Sequence, residues 1–181
     1  MPRPVFVALL TLALAVLSPA QRRHDPLNDA EINQLRETAL EPEKRLRLYV
    51  DFARLRLTTT EQIHADPKKN PDRPRDVHDA LQDFSTLFDE LDDNVATYAD
   101  RHDDIRKVLR RVIEGESEFR GRLVSLKNGL SREEMDACEF LITSTLDSIA
   151  TAIPDHRKLL QEQDELAKKK KLKKGDDTAS K

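Results

Sequence analysis

The sequence predicts an all-α protein, and three observations carry that reading. Glycine is scarce, with four in 181 residues, while 36% of the chain is charged, a composition that suits helices better than strands. Of nine prolines none lies between Arg75 and Ile153, a gap that helices require because an interior proline removes a hydrogen bond and clashes with the preceding turn. Apolar residues recur at alternating steps of four and three, the helical seam period.

Before the helices comes a segment of a different kind. Met-Pro-Arg3-Pro carries one positive charge, Val5–Leu17 is apolar except for Thr11, and Ser18-Pro19-Ala20 offers small residues for cleavage after Ala20. That is the pattern of a secretory signal peptide over residues 1–20, and the apolar stretch is short of the roughly 20 residues a membrane span needs. No Cys follows it and no twin arginine precedes it, so a lipoprotein and the folded-export route are not expected. Arg22 and Arg23 directly after the cut oppose translocation, which keeps a retained N-terminal anchor open.

A helical region starts at Asn28-Asp-Ala-Glu31, a capping box, with a stripe of Ile32, Leu35, Ala39 and Leu40. Pro42 interrupts it, and the pattern resumes through Leu46, Tyr49, Val50, Phe52, Ala53 and Leu57 to about Ala65. The polar, proline-rich run 66–74 is a loop. Val77, Leu81, Phe84, Phe88, Leu91, Val95 and Tyr98 then form a strict heptad seam, with acidic residues between them. Ile105, Leu109, Val112, Glu116, Phe119, Leu123 and Leu126 repeat the steps and stop at Asn128-Gly129. Ser131-Arg-Glu-Glu134 is a second capping box, followed by Met135, Cys138, Leu141, Ile142, Leu146, Ile149 and Ile153; Pro154 breaks or kinks this helix, and a weaker stripe continues to Leu166. Four apolar segments of similar length predict an antiparallel four-helix bundle over 21–167 with kinked first and last helices. In that arrangement the extensions 29–40 and 155–167 pair as a stalk. The alternative is a three-helix coiled-coil bundle with one long helix over 77–126, since the heptad phase runs unbroken through His102.

Charge is segregated along the chain. Residues 168–181 carry seven Lys against two Asp, and Arg3 adds one positive charge near the start, so the body over 21–167 holds −9 although the whole is only −3. Lys168, Lys169, Lys170, Lys171, Lys173 and Lys174 are expected in a disordered tail able to bind anionic surfaces by charge. The exported context argues against nucleic acid as partner. A single cysteine, Cys138, excludes an intramolecular disulfide. It lies on an apolar stripe, and an intermolecular disulfide is the alternative to burial.

Chemistry-bearing motifs are sparse. Glu61-Gln-Ile-His64 places two ligands on one helical face, but di-iron bundles need two such motifs and further carboxylates. His64 and His78 flank the same loop, which makes Glu61, His64, His78 and Glu116 the candidate metal ligands; no metal or cofactor is expected from one motif alone. Glu116 occupies a core position of its seam, where an unpaired carboxylate is costly, and is expected at the seam edge reaching Arg110, Arg111 or Arg120. No nucleophile motif, glycine-rich phosphate loop or catalytic constellation is present, so no enzyme is expected.

The stretch Glu43-Lys-Arg-Leu-Arg-Leu-Tyr-Val-Asp-Phe-Ala-Arg-Leu-Arg-Leu57, with Asp25-Pro-Leu-Asn-Asp29 ahead of it, resembles a group of uncharacterised exported bacterial proteins. The resemblance implies export and helicity and brings no activity. The expected role is therefore that of an exported structural or interaction protein of the bacterial envelope. It would associate with a protein partner or with itself through helices; metal binding and attachment to an anionic envelope surface are the alternatives.

Overall fold

The computed structural model describes residues 25–66, 68 and 70–179, with side chains described as far as Leu172. The expected signal peptide lies outside these residues. The described chain is all-helical, with α1 Asp29–Glu37, α2 Pro42–Ala65, α3 Arg73–Asp100, α4 Arg106–Gly129 and α5 Arg132–Ala179.

Local chemistry explains most boundaries. The Asn28 side chain accepts from the Glu31 amide, and the Glu31 carboxylate accepts from the Asn28 amide, which satisfies donors that the first turn leaves free. Ser131 and Glu134 repeat the device at the start of α5, with Ser131 N–H donating to Glu134 at 2.8 Å. Proline stands in the first turn of both α2 and α3, where its missing N–H costs nothing.

The possibility of one helix over 77–126 is excluded by the turn between Asp100 and Arg106. His102 stands at φ 60, in the left-handed region. Its amide donates to the Ala99 carbonyl at 2.9 Å, and the Asp103 amide donates to Tyr98 at 3.0 Å. These two bonds make a Schellman cap with histidine in the glycine position.

The four long helices surround one core. α2 lies against α3 and α4, and α5 lies against α3 and α4. Directions alternate along the chain, but neighbours do not follow chain order. Within each hairpin the helices oppose, as Arg45–Asn94 and Arg106–Asp164 record. Across the hairpins they run parallel. On one side Glu43, Asp51 and Glu61 of α2 meet Lys107, Arg111 and Arg122 of α4 in chain order; on the other Ser85 and Asp92 of α3 meet Thr145 and His156 of α5. The second hairpin thus stacks beside the first in the same sense.

All seven seam residues of α3 are buried, and so are all seven of α4, Glu116 included. Phe84 and Phe119 meet edge to face across the centre, with ring centroids 5.4 Å apart, and Phe88 lies 6.4 Å from Phe84. Burial of these rings together with the aliphatic core around them stabilises a chain that has no intramolecular disulfide. Gly115 belongs to this packing: a Cβ there would stand 3.0 Å from Val50 Cγ1, so α2 and α4 approach closely at that level.

Several expectations are corrected. α1 does not pair with 155–167 in a stalk; it folds back along α2, where Arg45 donates to the Leu35 carbonyl at 2.6 Å and Arg56 engages Glu31 and Pro26. Ala39 and Leu40 leave the apolar stripe for an exposed turn, Leu40 at 90% exposure, because the chain reverses there to enter α2. Pro154 does not interrupt α5; the Ala150 carbonyl that loses its donor belongs to an exposed residue, so it is open to solvent. The backbone over 168–179 continues α5 as helix. Lysine and leucine are good helix formers, and neither Pro nor Gly intervenes before Gly175. The helix has about 24 Å of length beyond Gln163.

Candidate functional site

The four candidate metal ligands do not converge. Glu61 accepts two bonds from Arg122, at 2.9 and 2.6 Å. His64 faces away from it, with Nδ1 3.2 Å from both carboxylate oxygens of Glu134. Glu134 is buried, which raises its pKa, but bonds from the Ser131 amide and His64 outweigh this and hold it below the ordinary range. Gly129 makes room for that imidazole, since a Cβ there would stand 3.2 Å from His64 Nε2. His78 meets its neighbour Asp79. Among the described residues no group of three or more His, Cys, Asp and Glu side chains is placed to hold a metal ion.

Glu116 is fully buried and does not reach an arginine. Its Oε1 lies 2.6 Å from His156 Nδ1, while its Oε2 has no hydrogen-bond partner. The other ring nitrogen of His156 lies 3.2 Å from Asp92. Three helices therefore meet at one imidazole: α3 through Asp92, α4 through Glu116 and α5 through His156. Burial alone would lower the His156 pKa, but the two carboxylates outweigh it and raise it to about 9. Burial also raises Glu116, against the opposing pull of His156 and Arg157. His156 thus lies between two carboxyl groups with its ring protonated at neutral pH, and its 2.6 Å contact to Glu116 is slightly shorter than an ordinary charge-assisted N–H···O bond.

Asp92, half exposed, connects this buried centre to solvent. It lines a groove of about 430 Å³ between α3 and α5, together with Asp89, Asp147 and Asp155. Burial and the neighbouring Asp92, Asp93 and Glu90 push the Asp89 carboxyl up. The opposite side of the molecule is charge-balanced: Arg54 bridges Asp51 and Glu118, and Arg122 bridges Glu61 and Glu118.

Cys138 is fully buried, and burial pushes its thiol up to about 11. It is a small core residue rather than a nucleophile. Lys168, Lys169, Lys170 and Lys171 are exposed on α5, and Lys173 and Lys174 continue the same helix.

His156 and Asp92 are the residues that sequence reasoning missed. The signal was present for His156: extending the α5 seam from Ile149 and Ile153 by a further step of three lands on it, as the α4 seam lands on Glu116. Two polar residues of opposite charge on facing seams imply a pair. Asp92 had no such signal, being one of several acidic residues on an exposed face.

Compared with known protein families, with curated proteins and with solved structures, the chain finds no match.

Proposed function

We propose that this chain is an exported helical protein of the bacterial envelope with a structural or interaction role rather than a catalytic one. The long helices are read as a four-helix bundle of two antiparallel hairpins stacked in parallel. One observation carries the reading: the acidic and histidine side chains best suited to chemistry are engaged as ties between helices. Glu61 ties α2 to α4, His64 ties α2 to α5 through Glu134, and His156 ties α5 to α3 and α4. Such a framework presents helix faces to a partner, protein or second copy, which is how helical modules recognise one another. Residues 1–20 and the resemblance to exported helical proteins support the compartment. Fractionation tests it: recovery outside the cytoplasm with a mass lacking residues 1–20 is the expected result, and full-length protein confined to the cytoplasm refutes it.

A second reading is attachment to an anionic surface, favoured by the placement of Lys168–Lys171 on a helix that continues past the packed region. Each lysine near such a surface contributes about 1 kcal/mol. Sedimentation with phosphatidylglycerol vesicles, compared with phosphatidylcholine vesicles, tests it. Binding to the former alone, lost on deleting 168–181 and weakened by salt, is expected; equal binding by the truncated chain overturns it.

A further inference from the structure

The part of α5 beyond Pro154 is held to the rest of the molecule differently from the part before it. Up to Pro154 the helix is anchored by buried apolar side chains, Cys138, Ile142, Ile149 and Ala152. Beyond Pro154, among the described residues, the only buried side chain is that of His156; Leu159 and Leu160 are partly buried. The remaining attachments are polar and cluster at the α3–α4 turn. The Ile105 amide donates to Gln163 Oε1 at 3.3 Å, and Gln163 Nε2 donates to the Asp103 carbonyl at 3.0 Å. Arg106 and Arg110 converge on Asp164, at 3.3 and 2.9 Å. Between the two parts stands Pro154, where one helical hydrogen bond is missing.

We propose that residues 155–172 form an arm hinged at Pro154 and clasped to α3 and α4 by the charged form of His156, so that removing the imidazolium proton releases the arm and the lysines it carries. The charged groups at His156 are Asp92 from α3 and Glu116 from α4; Asp89 and Asp155 line the same groove as Asp92, Asp93 acts on Asp89, and Arg157 acts on Glu116. With the ring protonated, two carboxylates share one cation. Once the ring is neutral, Glu116 loses the cation bonded to it and keeps only the through-space pull of Arg157, and Asp92 loses its charged partner. Asp92 lies at the groove, so the proton leaves to solvent on that side. A buried charge without a partner is far more costly than an exposed one, and swinging the arm away hydrates it.

The sign follows from the closed and open states. In the open arm His156 has the ordinary value near 6.5, and in the closed arm it is raised to about 9. The clasp is therefore complete at and below the lower value and is lost as pH rises through the upper one.

Distances between spin labels at Ala96→Cys on α3 and Gln161→Cys on the arm test this, with Ala96→Cys and Ala150→Cys as the reference pair before the hinge; all three positions are exposed. Buried Cys138 stays unlabelled. The expected result is one short Ala96–Gln161 distance at pH 7 and a longer population appearing as pH approaches 9, with the reference distance constant. His156→Gln should show the longer population already at pH 7. Asp92→Asn, a half-exposed position, removes one of the two carboxylates and should lower the opening midpoint by about one pH unit. An Ala96–Gln161 distance constant to pH 10, a reference pair lengthening together with it, or an unmoved midpoint in Asp92→Asn overturns the proposal.

Discussion

Truncating Phe84 to alanine tests whether the predicted seams form one core. Its ring is fully buried and contacts Phe88 and Phe119, which are also buried, so the void cannot fill from solvent. Phe→Ala in such a site costs about 3–5 kcal/mol, and the loss of the edge-to-face partner, about 0.5–1.5 kcal/mol, places it in the upper part of that range. At roughly 2–4 °C per kcal/mol for a chain of this size, the melting temperature should fall by roughly 10–15 °C. The assay is thermal unfolding followed by circular dichroism at 222 nm, with urea unfolding to give the free energy at one temperature. Phe140→Ala is the control: that ring is 87% exposed, and its removal should change stability by less than about 0.5 kcal/mol. A double cycle with Phe119→Leu should show coupling between the two rings. If Phe84→Ala and Phe140→Ala shift the midpoint equally, the seam of α3 does not face the core and the arrangement described above is wrong.

Other expectations follow from single positions. Gly121→Ala should gain about 1 kcal/mol, because a Cβ there meets nothing within 4 Å, whereas Gly115→Ala should forfeit that gain against Val50 Cγ1 at 3.0 Å; paired urea midpoints decide it. His102→Gly should stabilise by about 1 kcal/mol, since only the side chain makes φ 60 costly there; a loss of stability would mean that the imidazole has a favourable contact in the turn. Stability should decline between about pH 6.5 and 9, because a histidine whose folded pKa is raised contributes fully below its unfolded value and loses that contribution on passing its folded one. Urea midpoints from pH 6 to 10 measure this. The raised Glu116 pKa works in the same direction, favouring the folded state where that group is protonated, and His156→Gln should flatten the profile.

Much of the fold was legible because each helix announces itself by independent signals. The seams of α3 and α4 could be read residue by residue, and the capping boxes at Asn28 and Ser131 form as their spacing implies. The turn at 101–105 was harder: the heptad phase continues through it, and its left-handed residue is histidine rather than glycine. Periodicity also says which face is buried but not which helix covers it. The parallel stacking of the two hairpins therefore had no signature, nor did the reversal of α1, which depends on arginines reaching backbone carbonyls. The candidate centre was half visible. Glu116 stood out as a carboxylate on a seam, but its partner lies 40 positions further on, beyond a proline read as a kink or a break. Of a kink or an interruption at Pro154 the interruption does not occur, because a missing amide ends a helix only where water or packing does not compensate.

Association is the role we propose for this chain. Its most direct test is a pull-down of the tagged protein from crosslinked envelopes, with and without residues 168–181. If helix faces make the contact, a specific protein partner, or a second copy, is recovered by both forms. Loss of every crosslinked species from both forms, with the protein recovered as an isolated monomer, would contradict it.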